Sequence, residues 1–75
     1  MPLISVDVFK DELSEAQSAD LIAKITDAVA TVTSEKLRPH TWVIIREVKD
    51  GRWGIGGTPL TLANVKAIVA EGMNE

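Results

Sequence analysis

The opening stretch, MPLISVDVF, places a proline directly behind the initiator methionine at the start of a predicted β-strand. Proline has no backbone N–H to donate to a sheet, and the first residue of a strand is one of the few positions that tolerate it. If Met1 is removed, Pro2 also gains a free secondary amine. Such an amine can accept and return a proton near neutral pH once burial lowers its pKa. Structural tolerance and amine catalysis are both open interpretations of Pro2 at this point.

Other side chains that could do chemistry are few. The chain has no cysteine and one histidine, His40, which excludes disulfides, thiolate metal sites and multi-histidine metal sites. Arg46 could bind a carboxylate through two parallel hydrogen bonds, or it could form a surface or interface ion pair, for instance with Asp7 or with Glu47 of a neighbour. The three aromatic residues, the candidates for an apolar pocket, are Phe9, Trp42 and Trp53.

Composition narrows the class of protein. The chain has 75 residues and a net charge of −3, so we expect one small domain, 1–75, that does not bind nucleic acid, which requires a basic face. No apolar run approaches the ~20 residues of a membrane span. No basic segment precedes an apolar stretch, as it would in a signal peptide. We therefore expect a soluble cytoplasmic protein.

The periodicity of the first two thirds predicts a β-α-β unit. Residues 3–9 form a β-branched strand whose Ile4, Val6 and Val8 should face a helix. Ser14 and Gln17 have the spacing of a capping box that opens a helix from about residue 15 to about 34. Residues 41–48 form a second strand whose apolar centre predicts burial on both faces. A helix of this length between two strands predicts parallel pairing.

The last third predicts smaller elements. Three glycines in GRWGIGG indicate a short hairpin or a bulged segment. Thr58 and Pro59 have the form of an N-cap and first residue of a second helix, which Gly72 should end. A two-stranded parallel sheet has two open edges and leaves a face uncovered, so the inventory predicts association between identical chains.

Four of these features together resemble the 4-oxalocrotonate tautomerase family. They are Pro2 at the start of the first strand, the capping-box helix from Ser14, the strand VIIREV, and the segment GRWGIGG that follows it. The resemblance covers roughly residues 2–57. It implies an α/β fold with the β-α-β tautomerase architecture, a short extra β segment and a C-terminal helix. It also implies a homo-oligomer, either a hexamer built as a trimer of dimers or a dimer.

The resemblance further implies a cofactor-free and metal-free isomerase. The expected reaction is keto–enol proton transfer on a small 2-oxo or 2-hydroxy acid, with the Pro2 amine as general base and acid. Trp53 falls on the family's pocket phenylalanine, and Phe9 falls where the family lines its site with an apolar residue. The family's two substrate-binding arginines correspond here to Leu13 and Trp42. Their absence favours a monocarboxylate substrate, with Trp42 shaping the pocket and Arg46 as the candidate anion anchor.

Two other functions remain open. A protonated Pro2 would act as an acid in hydratase-type chemistry, such as dehalogenation or decarboxylation of small unsaturated acids. Alternatively, the chain is a non-catalytic oligomeric binding module that has lost the family's arginines. The pH dependence of activity distinguishes the two enzymes, because base catalysis rises with pH through the amine pKa and acid catalysis falls.

Overall fold

A β-α-β unit occupies residues 3–48 of the computed structural model, which describes residues 1–73. The strands β1 (Leu3–Phe9) and β2 (Trp42–Val48) are parallel, in a register that runs from Leu3 opposite Trp42 to Phe9 opposite Val48. The helix α1 (Glu15–Val32) connects them. The predicted fold class and parallel pairing are therefore confirmed.

The predicted capping box opens α1. The Ser14 hydroxyl accepts a hydrogen bond from the Gln17 N–H at 3.1 Å, and the Ser14 N–H donates to the Gln17 side-chain oxygen at 2.9 Å. These two bonds satisfy backbone donors that the first helical turn leaves without partners. The helix ends two residues before the predicted Ser34. Between α1 and β2 the chain forms a short 3-10 helix, Glu35–His40.

The two faces of the parallel sheet differ in burial. Ile4, Val6 and Val8 point toward α1 and are half-buried or buried, as predicted. The opposite face, which we call the open face, carries Trp42 and Ile44 exposed to solvent. The prediction that β2 is buried on both faces is therefore wrong for a single chain, because in the part that the structure describes Trp53 covers the open face only at Phe9 and leaves Trp42 and Ile44 exposed.

The segment after β2 forms a hairpin of β3 (Trp53–Ile55) and β4 (Thr58–Leu60), followed by α2 (Leu62–Met73). The prediction that Thr58 and Pro59 begin a helix is wrong. Gly56 and Gly57 both have positive φ, as a two-residue hairpin turn requires, and this turn pairs Thr58 with Ile55 instead. The helix starts four residues after Thr58 and reaches Met73, one residue past the predicted stop.

The single chain is expanded for its length. Its radius of gyration is 15.1 Å, against about 11 Å for a compact domain of this size. It exposes 5751 Å² of surface, whereas a compact monomer of 8.1 kDa exposes about 4,500 Å². No helix among the described residues is both long and apolar enough to span a lipid bilayer.

Candidate active site

Pro2 lies at the entrance to β1 and is half-buried. Its carbonyl oxygen accepts a hydrogen bond from the Trp42 N–H at 3.0 Å, which ties the start of β1 to the start of β2. Pro2 therefore directly precedes β1, at a place where its missing N–H breaks no ladder hydrogen bond. Met1 before it is largely exposed. While Met1 is attached, the Pro2 nitrogen is an amide and has no basicity, so an amine at this place requires Met1 to be removed.

Trp42 is the aromatic residue nearest to Pro2 in the sheet. It pairs in register with Leu3, so both side chains emerge on the open face beside the Pro2 end of the sheet. Trp42 is 60% exposed and Leu3 is similarly uncovered. The structure thus places one of the predicted pocket aromatics next to Pro2, on an apolar surface that its own chain leaves open.

The other two aromatics meet at the opposite end of the sheet. The Phe9 and Trp53 rings are stacked, with centroids 4.8 Å apart and planes inclined by 17°. Phe9 is only 3% exposed. Since β1 rises about 3.3 Å per residue, Phe9 lies about 20 Å from Leu3. Within one chain, the structure therefore does not bring Phe9 and Trp53 to Pro2.

Arg46 lies midway between these two ends. It pairs in register with Asp7, and its Nε donates a hydrogen bond to Asp7 Oδ1 at 3.0 Å. This is the ion pair that the sequence left as the alternative to anion binding, formed here within one chain. Both side chains are largely exposed, so the pair itself contributes little to stability. The substrate-binding role of Arg46 stays a prediction.

Arg52 is a residue that sequence reasoning did not place in the site. It borders a hollow of about 320 Å³ together with Trp53, Asp7, Val48 and Gly54. It forms no salt bridge with any other residue in the range 1–73. Its position next to Trp53 in the chain was the available signal, because the two residues leave the same turn.

Glu47 has a structural role at the Phe9 end. Its carboxylate accepts a hydrogen bond from the Asp11 N–H at 2.8 Å. Asp11 has a φ of 65°, in the left-handed region that a non-glycine residue rarely adopts. Glu47 therefore helps to hold the loop between β1 and α1 in this conformation.

Exposed ion pairs hold the 3-10 helix that precedes Trp42. Arg38 in the 3-10 helix hydrogen-bonds to both carboxylate oxygens of Glu35, at 3.0 and 3.2 Å, and also pairs with Asp27 of α1. The hydrogen bonds from Arg38 lower the pKa of Glu35 below its ordinary value of 4.5. The same bonds raise the pKa of Arg38. These pairs attach the segment that leads into β2 to the body of α1.

The site offers no metal centre in the part of the chain that the structure describes, where no three His, Cys, Asp or Glu side chains gather as ligands.

Comparison with known proteins gives the chain a family. A family model described as "Tautomerase enzyme" matches residues 2–63. The chain belongs to the tautomerase family. Within the superfamily it is 4-oxalocrotonate tautomerase-like, which makes it an isomerase-type enzyme at the level of the family.

The chain matches two relatives over nearly the whole of their lengths. "Probable tautomerase K2" of Dickeya dadantii (strain 3937) is 38% identical over 61 residues, 81% of this chain and 90% of the relative. "Probable tautomerase Cj0270" of Campylobacter jejuni is 33% identical over 67 residues, 89% of this chain and 97% of the relative. No solved structure matches at the threshold that both relatives meet. Nearly all of α2 lies beyond the residues that the tautomerase model matches.

Proposed function

We propose that the chain catalyses keto–enol proton transfer on a small 2-oxo or 2-hydroxy acid, with the Pro2 amine as general base and acid. The observation that carries the proposal is the position of Pro2. It is half-buried at the end of a parallel sheet, held by the Trp42 N–H, and bordered by the apolar side chains of Leu3 and Trp42. Family membership supports the reaction class.

The chemistry needs only the amine. A secondary alkyl amine in water is mostly protonated at neutral pH, and apolar surroundings disfavour the cation and lower its pKa. The neutral amine takes the proton of the enol hydroxyl, and the resulting ammonium gives a proton to the substrate carbon. The amine is then regenerated, the substrate has become the keto form, and no electrons have been transferred.

The complete site requires at least two copies of the chain. Phe9 and Trp53 stack about 20 Å from the Pro2 end in one chain, too far to contact the same small substrate. A second copy related by a two-fold axis lies antiparallel along the sheet edge, so its Trp53 end comes beside the first copy's Pro2. This arrangement would unite the predicted pocket residues. It is also the unit from which a hexamer, as a trimer of dimers, would be built.

Two arginines are the candidates for binding the substrate carboxylate. Arg46 faces the open side of the sheet but is paired with Asp7. Arg52 shares the hollow beside Trp53, the aromatic residue expected in the pocket. We therefore assign the main carboxylate contact to Arg52, with Arg46 in a secondary role. A single main cation suits a monocarboxylate better than a dicarboxylate.

The hydratase-type alternative is less well supported. It needs a carboxylate that activates water near Pro2, and the carboxylates carried by the two strands of the sheet are Asp7 and Glu47. Asp7 accepts a hydrogen bond from Arg46, and Glu47 accepts one from the Asp11 N–H. Both carboxylates are engaged within the chain, which favours proton transfer by the amine alone.

Ketonisation of phenylenolpyruvate tests the proposal, on protein whose mass shows that Met1 is absent. We expect Pro2→Ala to lower kcat/KM by about 10²–10⁴-fold, the usual contribution of a general base. Activity should rise with pH through the amine pKa. The matched control is a form with one residue added before Met1, in which the Pro2 nitrogen stays an amide. Equal rates for wild type, Pro2→Ala and this control would disprove the proposal.

A further inference from the structure

The hollow beside Trp53 lies on the open face of the sheet. Asp7 and Phe9 are two residues apart on β1, so their side chains emerge on the same face, and the Trp53 ring stacks on the Phe9 ring there. The hollow has a volume of about 320 Å³, and Asp7, Arg52 and Trp53 are among the residues that border it. A cavity of about 150 Å³ suffices for benzene, so a small aromatic acid fits in the hollow.

The hollow has one acidic and one basic side chain, and these two do not pair with each other. Arg52 forms no salt bridge with any residue in the range 1–73. Asp7 Oδ1 instead accepts a hydrogen bond from Arg46 Nε at 3.0 Å, because parallel register places these two residues directly opposite each other. Arg52 is therefore left to bind an anion that enters the hollow.

The pair with Asp7 uses only part of the Arg46 guanidinium. Within residues 1–73, Arg46 donates to Asp7 through Nε alone, and neither Nη group has a carboxylate partner. The side chains of Arg46 and Asp7 are 62% and 48% exposed, so a ligand in the hollow has access to the pair. Without the Asp7 carboxylate, Arg46 would be a second cation beside Arg52.

We propose that Asp7 determines the charge of the ligand: by engaging Arg46, it leaves the hollow with one free cation and restricts the ligand to a monocarboxylate. Asp7 is a positioning residue in this role, because it acts through Arg46 and does not itself bind the ligand. The inference rests on the proposed function in taking the hollow as the place where Arg52 binds the substrate carboxylate. It goes further by naming the residue that excludes dicarboxylates, and it concerns contacts within one chain.

A second carboxylate meets two obstacles in this hollow. It must displace Asp7 from Arg46, and Asp7 is held in the adjacent strand at a high effective concentration. It must also lie beside the Asp7 carboxylate, and the juxtaposition of like charges disfavours binding. Asp7→Asn removes both obstacles and keeps the size of the side chain. The fold tolerates this change, because an exposed ion pair contributes little to stability.

Equilibrium binding of benzoate and isophthalate tests the inference, because the two probes differ by one carboxylate. Trp42→Phe leaves Trp53 as the only tryptophan, so quenching of its emission reports a ligand in the hollow. In this background we expect benzoate to bind more tightly than isophthalate. Asp7→Asn should tighten isophthalate binding about tenfold, as one added hydrogen bond between charged groups does. It should tighten benzoate binding about threefold or less, the size of an exposed charge effect.

Two further variants separate the role of Asp7 from a general effect of charge. Asp11→Asn removes the same charge outside the hollow, at a position of positive φ that asparagine adopts readily, and should leave both dissociation constants unchanged. Adding Arg46→Gln to Asp7→Asn should cancel the gain for isophthalate. The inference is wrong if Asp7→Asn affects both probes alike, if the gain survives without Arg46, or if benzoate does not bind the parent.

The proposed function fails separately from this inference, because binding is measured without turnover. Pro2→Ala should lower ketonisation and leave both dissociation constants as they are in the parent. A chain without ketonisation activity in which Asp7→Asn still tightens isophthalate binding selectively would refute the proposed reaction and support the role of Asp7. An active chain whose preference for benzoate is the same with and without Asp7 would support the reaction and refute the inference.

Discussion

The two ends of the parallel sheet are stabilised in different ways. At the Phe9 end, the stabilising contacts lie within one chain: the buried Phe9 ring stacks on Trp53, and the Glu47 carboxylate holds the Asp11 loop. At the Pro2 end, Trp42 and Leu3 stand in solvent, and the approach to β2 is held by exposed ion pairs of Arg38. The end that carries the candidate catalytic group is therefore the end whose apolar side chains a single chain leaves exposed.

This difference separates stability from function along one strand. A buried aromatic contact contributes several kcal/mol, whereas exposed ion pairs contribute little. Changes at the Phe9 end should therefore act first on folding. Changes at the Pro2 end should act first on activity and assembly. The following predictions test this separation, beginning with the largest expected effect.

Phe9→Ala should destabilise the chain by about 3–5 kcal/mol, because it removes a buried ring and its stacking contact with Trp53. Trp42→Ala, an equally large truncation at the other end, should change the stability of a monomeric form by less than half as much, since Trp42 is mostly exposed. Urea unfolding at a protein concentration low enough to dissociate the assembly measures both. Equal losses would show that the two ends do not differ within one chain.

Arg52→Ala should raise KM for a monocarboxylate enol about 10–100-fold, because a hydrogen bond to a charged group contributes about 1.5–3 kcal/mol. Arg46→Ala should have a smaller effect on KM, because Arg46 is already engaged by Asp7. Steady-state kinetics of both variants give the comparison, with unfolding curves to show that neither change acts through stability. A larger effect for Arg46 would restore it as the main anion anchor.

Local signals in the sequence predicted most of the β-α-β unit. The capping box at Ser14 and the β-branched runs of β1 and β2 each depend on residues close together in the chain, and the structure has the helix start and both strands at these places. The second strand of the hairpin was not predictable in this way. Thr-Pro fits both a helix start and an edge strand, and the turn at Gly56 and Gly57 decides between them through pairing with β3.

The sequence predicted which residues belong to the candidate site, but not where these residues lie relative to one another. Pro2 and Trp42 meet because parallel register aligns the starts of both strands, which the fold class implies. The length of β1 alone separates Phe9 from Pro2 by about 20 Å. The family resemblance nevertheless implied that both residues belong to one site. The contact of Glu47 with the Asp11 N–H joins two residues far apart in the chain, so no local pattern indicates it.

Glu47→Ala should destabilise the chain by about 1 kcal/mol, because Asp11 loses the carboxylate that accepts its N–H at positive φ. Asp11→Gly in the same background should recover part of that loss, since glycine adopts positive φ without steric cost. Thermal unfolding of the single and double variants measures the coupling. Independent, additive effects of the two changes would show that Glu47 does not act through the Asp11 loop.

The smallest effect belongs to the ion pairs at the Pro2 end. Hydrogen bonds from Arg38 lower the pKa of Glu35 below its ordinary value of 4.5 in the folded chain. A carboxyl with a lowered folded pKa stabilises the fold above its unfolded pKa and loses that contribution as pH falls through the folded value. Wild type should therefore be slightly more stable than Glu35→Gln at pH 7, and the two should converge well below pH 4.5. A difference that persists at low pH would mean that Glu35 acts through packing, and the Pro2 end would then depend less on exposed charge than its structure indicates.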